Sequence, residues 1–308
     1  MTEAAHEQDV AAEQYRREQH VTDQVLASFG GAASARFAEV MGALVRHAHA
    51  FVREVRLTEE EWQQGIEFLT RTGHVTTDRR QEFILLSDVL GISMLTVAVN
   101  HPPDGDATES TVFGPFFVAG SPRVELGGDI AQGAAGQPCW ISGSVRDPDG
   151  KPVAGAKIEV WEADDEGLYD VQHDGERTAG RGHLFTAPDG GFRFWAVTPT
   201  PYPIPDDGPV GDLLTAAGRG PMRAAHLHFM VTAPGYRTLV THIFVAGGEH
   251  LDSDAVFGVK PSLVKDFVEH AAGAEAPDGR VPERDWSSAE FDIVLARDKE
   301  TSDKEAPE

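Results

Sequence analysis

The sequence predicts an α+β protein, with an N-terminal helical region followed by a β-sandwich. Between residues 20 and 100, apolar residues recur at helical spacing, which is typical of helices that bury one face. Beyond residue 106, short apolar segments alternate with turns rich in Gly and Pro, which is typical of a sandwich. The segment 101–106 between them contains two prolines and a glycine and therefore predicts a linker.

Three helices are predicted before this linker. The first has an apolar face whose members recur every three or four residues, namely Phe37, Met41, Leu44, Ala48, Phe51 and Val55. The second begins at Thr58, because Thr58 and Glu61 have the spacing of a capping box. The third covers residues 78–99 and is apolar on nearly every side, so we expect it to pack against neighbouring helices or another subunit.

Several strands are predicted after the linker. Two turn sequences, 147–150 and 188–191, separate apolar segments. The strand candidates are residues 139–146, 156–163, 192–197, 226–232, 238–245 and 291–296. The segment 298–308 is charged and predicted to be disordered. We therefore expect a helical domain with its linker (1–105), a β-sandwich domain (106–297) and an acidic tail (298–308).

Composition argues against several classes of protein. The 308 residues carry 26 basic and 50 acidic side chains, a formal charge of −24, which disfavours nucleic acid or an anionic membrane as a partner. The single cysteine, Cys139, forbids an intramolecular disulfide and is expected to be a buried, inert thiol. The first 20 residues lack the apolar core of a signal peptide, and the apolar run 84–99 is too short to span a bilayer. We therefore expect a cytoplasmic protein.

Two tyrosines and two histidines form a candidate metal site: Tyr169, Tyr202, His226 and His228. The histidines lie two residues apart in an alternating, apolar predicted strand, so both imidazoles would project from one face. Neutral imidazole is the commonest metal ligand, and two anionic phenolate oxygens favour Fe(III) over Fe(II), because they stabilise the higher charge. Each residue alone also has an ordinary explanation: half-buried histidines, a packing tyrosine at 169 and a turn tyrosine at 202.

Taken together with their order and flanking residues, these positions resemble the intradiol ring-cleavage dioxygenases. The order Tyr, Tyr, then Arg-x-x-His-x-His is specific to that family, and the likeness extends over residues 20–297. The stretches that carry it are 111–117, 145–161, 167–170, 201–206 and 223–228. Within the family, 239–245 and 252–260 resemble the hydroxyquinol 1,2-dioxygenases, and His242 stands where we expect glutamine in the catechol branch.

The resemblance implies one Fe(III) ion per subunit, bound by Tyr169, Tyr202, His226 and His228, with Tyr202 and His228 as the axial pair. It also implies that Tyr202 leaves the metal and acts as a base when the substrate binds. Arg223 is expected to stabilise negative charge that develops on the ring, although a surface salt bridge would also explain it. Residues three apart face opposite sides of a strand, so this role requires an irregular approach to the strand of His226.

A substrate pocket is implied as well. Its walls are expected to include Leu85, Asp88, Val112, Phe113, Gly114, Pro115, Phe116, Ile204, Pro205, Arg223 and Val256. Asp88 is informative, because a carboxylate in an apolar helix needs a polar partner. That partner is either the extra hydroxyl of hydroxyquinol or a hydrogen bond between helix and loop. His242 is expected to orient a metal ligand or to supply a proton, unless it is an ordinary core histidine.

The implied reaction is intradiol cleavage of hydroxyquinol by O2 to 3-hydroxy-cis,cis-muconate, the enol form of maleylacetate, within the degradation of aromatic compounds. The resemblance further implies a homodimer formed by the helical region, with lipid in an apolar tunnel there. Three alternatives stay open. They are a catechol or chlorocatechol 1,2-dioxygenase, a zinc hydrolase built on His-x-His, and a non-enzymatic module, because 145–161 also resembles transthyretin-like domains.

Overall fold

The computed structural model describes residues 3–77, 80–173 and 178–298. The chain forms two compact units, Met1–Thr70 and Arg71–Glu308. The expected start of the third helix, at Asp78, and the expected disordered tail, apart from Asp298, lie outside the described residues. The domain limits expected from the sequence, 1–105 and 106–297, stay predictions.

The first helices have the bounds α1 (Glu3–Ser28), α2 (Ala35–Glu54) and α3 (Glu59–Val75). The capping box at the start of α3 is confirmed, because the backbone N–H of Thr58 donates to the Glu61 carboxylate and that of Glu61 donates to the Thr58 hydroxyl. Helix α1 was not among the three predicted helices, since residues 6–17 are exposed and show no apolar periodicity.

The predicted third helix is in fact two helices, α4 (Glu82–Val89) and α5 (Ile92–Asn100). They are separated by a break at Gly91, whose φ is 71°, and bend by 75° there. The prediction of one helix was wrong, because apolar residues on every side hide a break, and glycine adopts this left-handed conformation without steric cost. Within the described ranges, no single helix is long and apolar enough to cross a membrane, although the bent pair α4 and α5 passes that test by length and composition.

The rest of the described chain consists mainly of strands and connecting loops. The strands are β1 (Pro138–Arg146), β2 (Lys157–Trp161), β3 (Arg181–Phe185), β4 (Gly191–Val197), β5 (Tyr202–Pro203), β6 (Met222–Arg223), β7 (His226–Thr232), β8 (Leu239–Val245), β9 (Val264–Lys265), β10 (Val268–His270), β11 (Trp286–Glu290) and β12 (Ile293–Val294). Each of the six strand candidates overlaps one of them. The sequence did not predict the helix α6 (Pro209–Ala216) or the strands β3, β5, β6, β9, β10 and β11, since these short segments lack a clear apolar period.

Two five-stranded sheets enclose the main core. One has the order β10-β11-β1-β12 with β4 also paired to β1, and the other has the order β3-β2-β7-β8-β9. Phe229 on β7 joins the two, because its ring lies 6.2 Å from that of Phe194 on β4 and 5.1 Å from that of Phe291. Cys139 is fully buried in this core, and burial raises the pKa of its thiol, as expected for an inert cysteine.

The strand register places chemically useful side chains side by side. On β7, His228 lies opposite Trp161 of β2 on one side and His242 of β8 on the other. A separate two-stranded ladder, β5 with β6, pairs Tyr202 with Arg223. The β5–β6 ladder ends at Arg223, three residues before β7 begins at His226. Residues far apart in sequence therefore meet at one end of the second sheet.

Candidate metal centre

Four buried donor atoms converge at this end of the sheet, from Tyr169, Tyr202, His226 and His228, which we call the donor cluster. The phenol oxygens lie 3.0 Å apart, and the Nε2 atoms of the two histidines lie 3.1 Å apart. The Tyr169 oxygen lies 2.9 Å from Nε2 of His228 and 3.5 Å from Nε2 of His226. The Tyr202 oxygen lies 3.3 Å from Nε2 of His226.

These separations fit the coordination of one ion. Ligands about 2.1 Å from a metal and at right angles to each other lie about 3 Å apart, and five of the six donor pairs fall near that value. Among the contacts of the described residues, the sixth pair, Tyr202 and His228, has no such close approach.

His226 is oriented by the backbone. Its Nδ1 lies 2.7 Å from the carbonyl oxygen of Ala224, which can only accept, so Nδ1 carries the hydrogen and Nε2 keeps its lone pair. The chain leaves strand geometry at Ala224 and Ala225, between β6 and β7. The expected irregular approach is therefore present, and it brings the Arg223 guanidinium within 3.0 Å of Nε2 of His226.

Arg223 is buried and is held by Asp254, a residue that the sequence analysis did not single out. The Asp254 carboxylate accepts from Nε of Arg223 at 3.1 Å, from the Ala224 N–H at 3.3 Å and from the Gly258 N–H at 2.7 Å. Burial opposes the charge on Arg223, but Asp254 and the two phenols raise its pKa, so it remains a cation. The salt bridge offered as an alternative does exist, but it is buried and lies against the donor cluster.

His228 lies between an aromatic ring and a second histidine. The Trp161 ring stacks on it with centroids 4.6 Å apart, and its Nδ1 lies 2.7 Å from Nε2 of His242. His242 also joins His226 and His228 in a cluster whose nitrogens lie within 4.8 Å of one another. However, Nδ1 of His242 is hydrogen-bonded to the Thr111 hydroxyl at 2.8 Å. Both nitrogens of His242 are thus engaged by His228 and Thr111 rather than by the phenols.

Burial determines the protonation of the donor cluster in the absence of a cation. Burial and the neighbouring Tyr202 raise the pKa of Tyr169 well above its usual range. Burial also raises the pKa of Tyr202, while Arg223 opposes that rise. The pKa values of His226 and His228 are lowered well below the usual range, chiefly by burial. Neutral imidazoles are ready to coordinate, and a bound cation would deprotonate the phenols, so these residues fit a hard, highly charged metal ion.

A loop leading into the sandwich closes over the donor cluster. Gly114 has a φ of 77°, and a Cβ there would lie 3.2 Å from the His228 ring, so glycine permits the close approach. The Phe116 ring stacks on Tyr169 with centroids 4.6 Å apart. Phe113 contacts Trp161 at 5.8 Å and is 41% exposed, while Pro115 is half-buried. The loop therefore separates the donors from solvent on this side.

A second buried cluster, which we call the apolar wall, contains Leu85, Val112, Ile204 and Val256. It is continuous with the site in sequence, because Ile204 follows Tyr202 by two residues and Val256 follows Asp254 by two. The half-buried Pro205 follows Ile204. Four expected pocket residues are thus brought together on one surface.

Asp88 lies beside the apolar wall on α4 and is 3% exposed. Burial raises the pKa of its carboxyl, and hydrogen bonding from Ser93 and the charge of Arg223 partly offset that effect. Ser93 belongs to α5, so a partner within the bent helix pair is available. The buried carboxyl therefore has a polar partner in Ser93 and lies within the electrostatic influence of Arg223.

Two family models match the chain in succession. The model described as the catechol dioxygenase N terminus matches residues 34–108, and the model described as dioxygenase matches residues 112–297. The chain belongs to the intradiol ring-cleavage dioxygenases.

Individual relatives of this dioxygenase are named for hydroxyquinol or for catechol. The hydroxyquinol 1,2-dioxygenase of Nocardioides simplex is 67% identical over 93% of this chain and 98% of its own length. A solved hydroxyquinol 1,2-dioxygenase from Pseudomonas putida DLL-E4 superposes with a TM-score of 0.85 at 45% identity, covering 92% of this chain and 100% of that one. The catechol 1,2-dioxygenase from Pseudomonas arvilla C-1 superposes with a TM-score of 0.80 at 26% identity, covering 94% of each chain.

Three functional neighbours in this dioxygenase escaped sequence reasoning: Asp254, Thr111 and the stacking role of Trp161. All three lie inside stretches that resemble the family, 252–260, 111–117 and 145–161. That likeness was the available signal. Nothing in local spacing indicated that Asp254 pairs with Arg223 or that Thr111 bonds to His242.

Proposed function

We propose that this protein is a hydroxyquinol 1,2-dioxygenase, which breaks the bond between two adjacent hydroxylated ring carbons and incorporates both atoms of O2 into the ring-opened product. The product would be 3-hydroxy-cis,cis-muconate, the enol form of maleylacetate. The observation that carries the proposal is the convergence of two buried phenols and two buried imidazoles on one point. Relatives named for hydroxyquinol support the substrate.

We further propose that the donor cluster binds one Fe(III) ion per subunit. Two phenolates and two neutral imidazoles neutralise two of its three charges and leave coordination positions for a substrate with two adjacent oxygens. When bound, the ferric ion supplies Lewis acidity that favours the deprotonated catecholate and makes its ring reactive towards O2. Catalytic zinc sites use His, carboxylate or Cys ligands, including sets of three histidines. Zinc is disfavoured here, because the third histidine, His242, is bonded to His228 and Thr111, and the remaining buried donors are phenol oxygens.

Tyr202 is the proposed base that receives a proton from the incoming substrate. Its oxygen is hydrogen-bonded to Tyr169 and lies next to Nε2 of His226. It is also close enough to Arg223 for that cation to lower its pKa against the effect of burial. With a cation bound, Tyr169 would itself be a phenolate, so Arg223 is the neighbour that would stabilise negative charge on the Tyr202 oxygen while it exchanges a proton.

Arg223 is the proposed stabiliser of negative charge on the ring. Its guanidinium is buried, oriented by Asp254 and positioned 3.0 Å from Nε2 of His226. A fixed cation in a site of low dielectric acts strongly on charge that develops during reaction, because it needs no reorganisation. Among buried side-chain atoms of the described chain, Nη2 of Arg223 lacks a hydrogen-bond partner, so one donor is available to a substrate.

The apolar wall is proposed to pack against the aromatic ring, with Asp88 as the candidate partner of the third hydroxyl. Val112 to Phe116 would complete the wall on the loop side.

The expectations of a homodimer through the helical region, of lipid there and of a cytoplasmic location stay predictions. Exposed apolar side chains on α2, including Phe37, Leu44 and Phe51, support a partner on that helix.

Consumption of O2 by the iron-loaded protein tests the proposal. Hydroxyquinol and catechol should be compared side by side, with blanks lacking enzyme, because hydroxyquinol oxidises spontaneously. Fast uptake with hydroxyquinol and slow uptake with catechol is the expected result. A preference for catechol would reject the substrate and favour the catechol 1,2-dioxygenase alternative. No uptake with either substrate, in protein that carries iron, would reject the proposed activity.

A further inference from the structure

We propose that the Thr111 hydroxyl supplies, through His242, the hydrogen-bond acceptor that the metal-binding tautomer of His228 requires, in which Nε2 is free to bind the metal. The inference rests on the proposed function, because it assumes that His228 coordinates through Nε2. It assigns a positioning role to Thr111, a residue outside the donor cluster.

The two histidines of the donor cluster are oriented by different kinds of neighbour. Nδ1 of His226 faces the carbonyl oxygen of Ala224, which only accepts, so the backbone alone leaves the lone pair on Nε2. Nδ1 of His228 faces Nε2 of His242 at 2.7 Å, and an imidazole nitrogen can either donate or accept. The neighbour of His228 therefore does not by itself choose the tautomer.

In the metal-bound form, His242 requires an acceptor beyond it, and the Thr111 hydroxyl can act as that acceptor, because a hydroxyl oxygen accepts as well as donates. A metal-binding His228 must donate from Nδ1 to Nε2 of His242, so a neutral His242 carries its own hydrogen on Nδ1. That hydrogen points to the Thr111 hydroxyl oxygen, 2.8 Å away. His242 is fully buried and Thr111 is 2% exposed, so this oxygen is the acceptor on which the whole chain of hydrogen bonds depends.

The backbone holds Thr111 in place for this role. Its N–H donates to the carbonyl oxygen of Val240 at 2.9 Å, and Val240 precedes His242 by two residues on β8. The neighbouring Thr241 hydroxyl donates to the Glu109 carbonyl at 2.7 Å. The segment that carries the hydroxyl is thus fastened to the strand that carries His242.

Removal of the hydroxyl should weaken metal binding. In a Thr111→Val protein, the metal-loaded form must bury the His242 Nδ1–H without an acceptor. The metal-free form can instead move the hydrogen to Nε2 of His242 and avoid that cost. Because only the metal-free form can choose its tautomer, the substitution lowers the affinity. Loss of a hydrogen bond behind a metal-binding histidine typically costs about 10- to 100-fold in affinity.

The test compares the wild type with Thr111→Val, which keeps the shape, and Thr111→Ser, which keeps the hydroxyl. Metal-free protein is titrated with gallium(III) citrate, a diamagnetic stand-in for Fe(III), and the tautomers are read from nitrogen-15 NMR of the histidines. We expect the gallium-loaded wild type and Thr111→Ser to carry the His242 hydrogen on Nδ1, and Thr111→Val to bind gallium about tenfold more weakly. Equal affinities, or a His242 hydrogen on Nε2 in the loaded wild type, would overturn the inference.

A second pair of variants covers the case in which Thr111→Val does not fold. His242→Gln can accept from His228 through its amide oxygen and donate to Thr111 through its amide nitrogen, so it should bind gallium with nearly the wild-type affinity. His242→Leu can do neither and should bind it more weakly. Equal binding by the two would also overturn the role of this chain of hydrogen bonds. If the variants bind the metal equally while the wild type binds the metal and turns over, only the inference fails. A wild type that binds no metal would overturn the proposed function as well.

Discussion

In the donor cluster, each side chain is oriented by directional contacts, whereas the apolar wall depends on packing. Five of the six pairs among the four donors lie within hydrogen-bonding distance. The Ala224 carbonyl and His242 contact the Nδ1 atoms of the two histidines, and Arg223 contacts Nε2 of His226. Leu85, Val112, Ile204 and Val256 are buried together and have no polar side-chain atoms to orient them. Metal binding by the donor cluster should therefore be lost when one ligand is removed. Substitutions along the apolar wall should instead lower activity by smaller amounts.

The largest effect is expected from loss of a donor. His226→Ala removes one imidazole from the four ligands, so we expect loss of iron, of the visible tyrosinate absorption and of turnover. Iron content and the absorption spectrum measure this directly. His270→Ala is the matched control, because His270 stacks on Trp286 in the other sheet and should leave iron and colour intact. Retention of full iron content by His226→Ala would contradict the ligand set.

Arg223→Ala should separate catalysis from metal binding. We expect iron and colour to remain while kcat falls about 10²- to 10³-fold, because a fixed charge-stabilising donor is lost. The substitution also leaves Asp254 buried without its cation, which is costly. The double variant Arg223→Ala with Asp254→Asn removes that charge. If unchanged turnover is found in either variant, the proposed role of Arg223 is wrong.

Asp88→Ala tests whether the wall recognises the third hydroxyl. If the carboxyl binds it, kcat/KM for hydroxyquinol should fall about tenfold or more relative to catechol, because a site built to pair a hydroxyl discriminates strongly. Ser93→Ala is the control, since it removes the partner within the helix pair. An equal fall for both substrates would show that Asp88 serves only the turn between α4 and α5.

A smaller effect, on stability, is expected behind the donor cluster at Glu162. This carboxyl is 2% exposed, accepts from the Val197 N–H at 3.0 Å and leaves its other oxygen unpaired within the described chain. Burial raises its pKa well above the usual range, so the folded protein retains a proton that the unfolded chain releases above about pH 4.3. Stability should therefore fall as pH rises above that value.

Replacement of this carboxyl should remove that dependence. Glu162→Gln should be more stable than the wild type at pH 8, by about 1 kcal/mol or more, with little difference at pH 4. Denaturant unfolding at the two pH values measures the change. The exposed Glu166→Gln is the control. A wild-type stability equal to that of Glu162→Gln at pH 8 would mean that the buried carboxyl is stabilised by contacts that offset its burial.

Local patterns predicted the elements whose side chains repeat with a clear period. The capping box of Thr58 and Glu61, the strands β1, β7 and β8, and the shared face of His226 and His228 all follow from spacing within a few residues. The prediction of a single helix over 78–99 was wrong at Gly91. A segment that is apolar on every side has no hydrophobic periodicity, so its sequence does not indicate where the helix bends. β11 was missed because its serines and glutamate hide a mostly buried strand.

The sequence by itself determined that two histidines share one face of a strand and, through likeness to the family, that two tyrosines join them. The histidine pair follows from spacing within a few residues, and the tyrosines follow from stretches that match the family. Both predictions therefore need only the sequence. Only the tertiary structure decided which groups hold the side chains of the site in place. Asp254 binds Arg223, the Ala224 carbonyl binds His226, and His242, itself bonded to Thr111, binds His228. The longest of these contacts joins residues 131 positions apart, and their partners are chosen by strand register and loop closure, which no local pattern encodes.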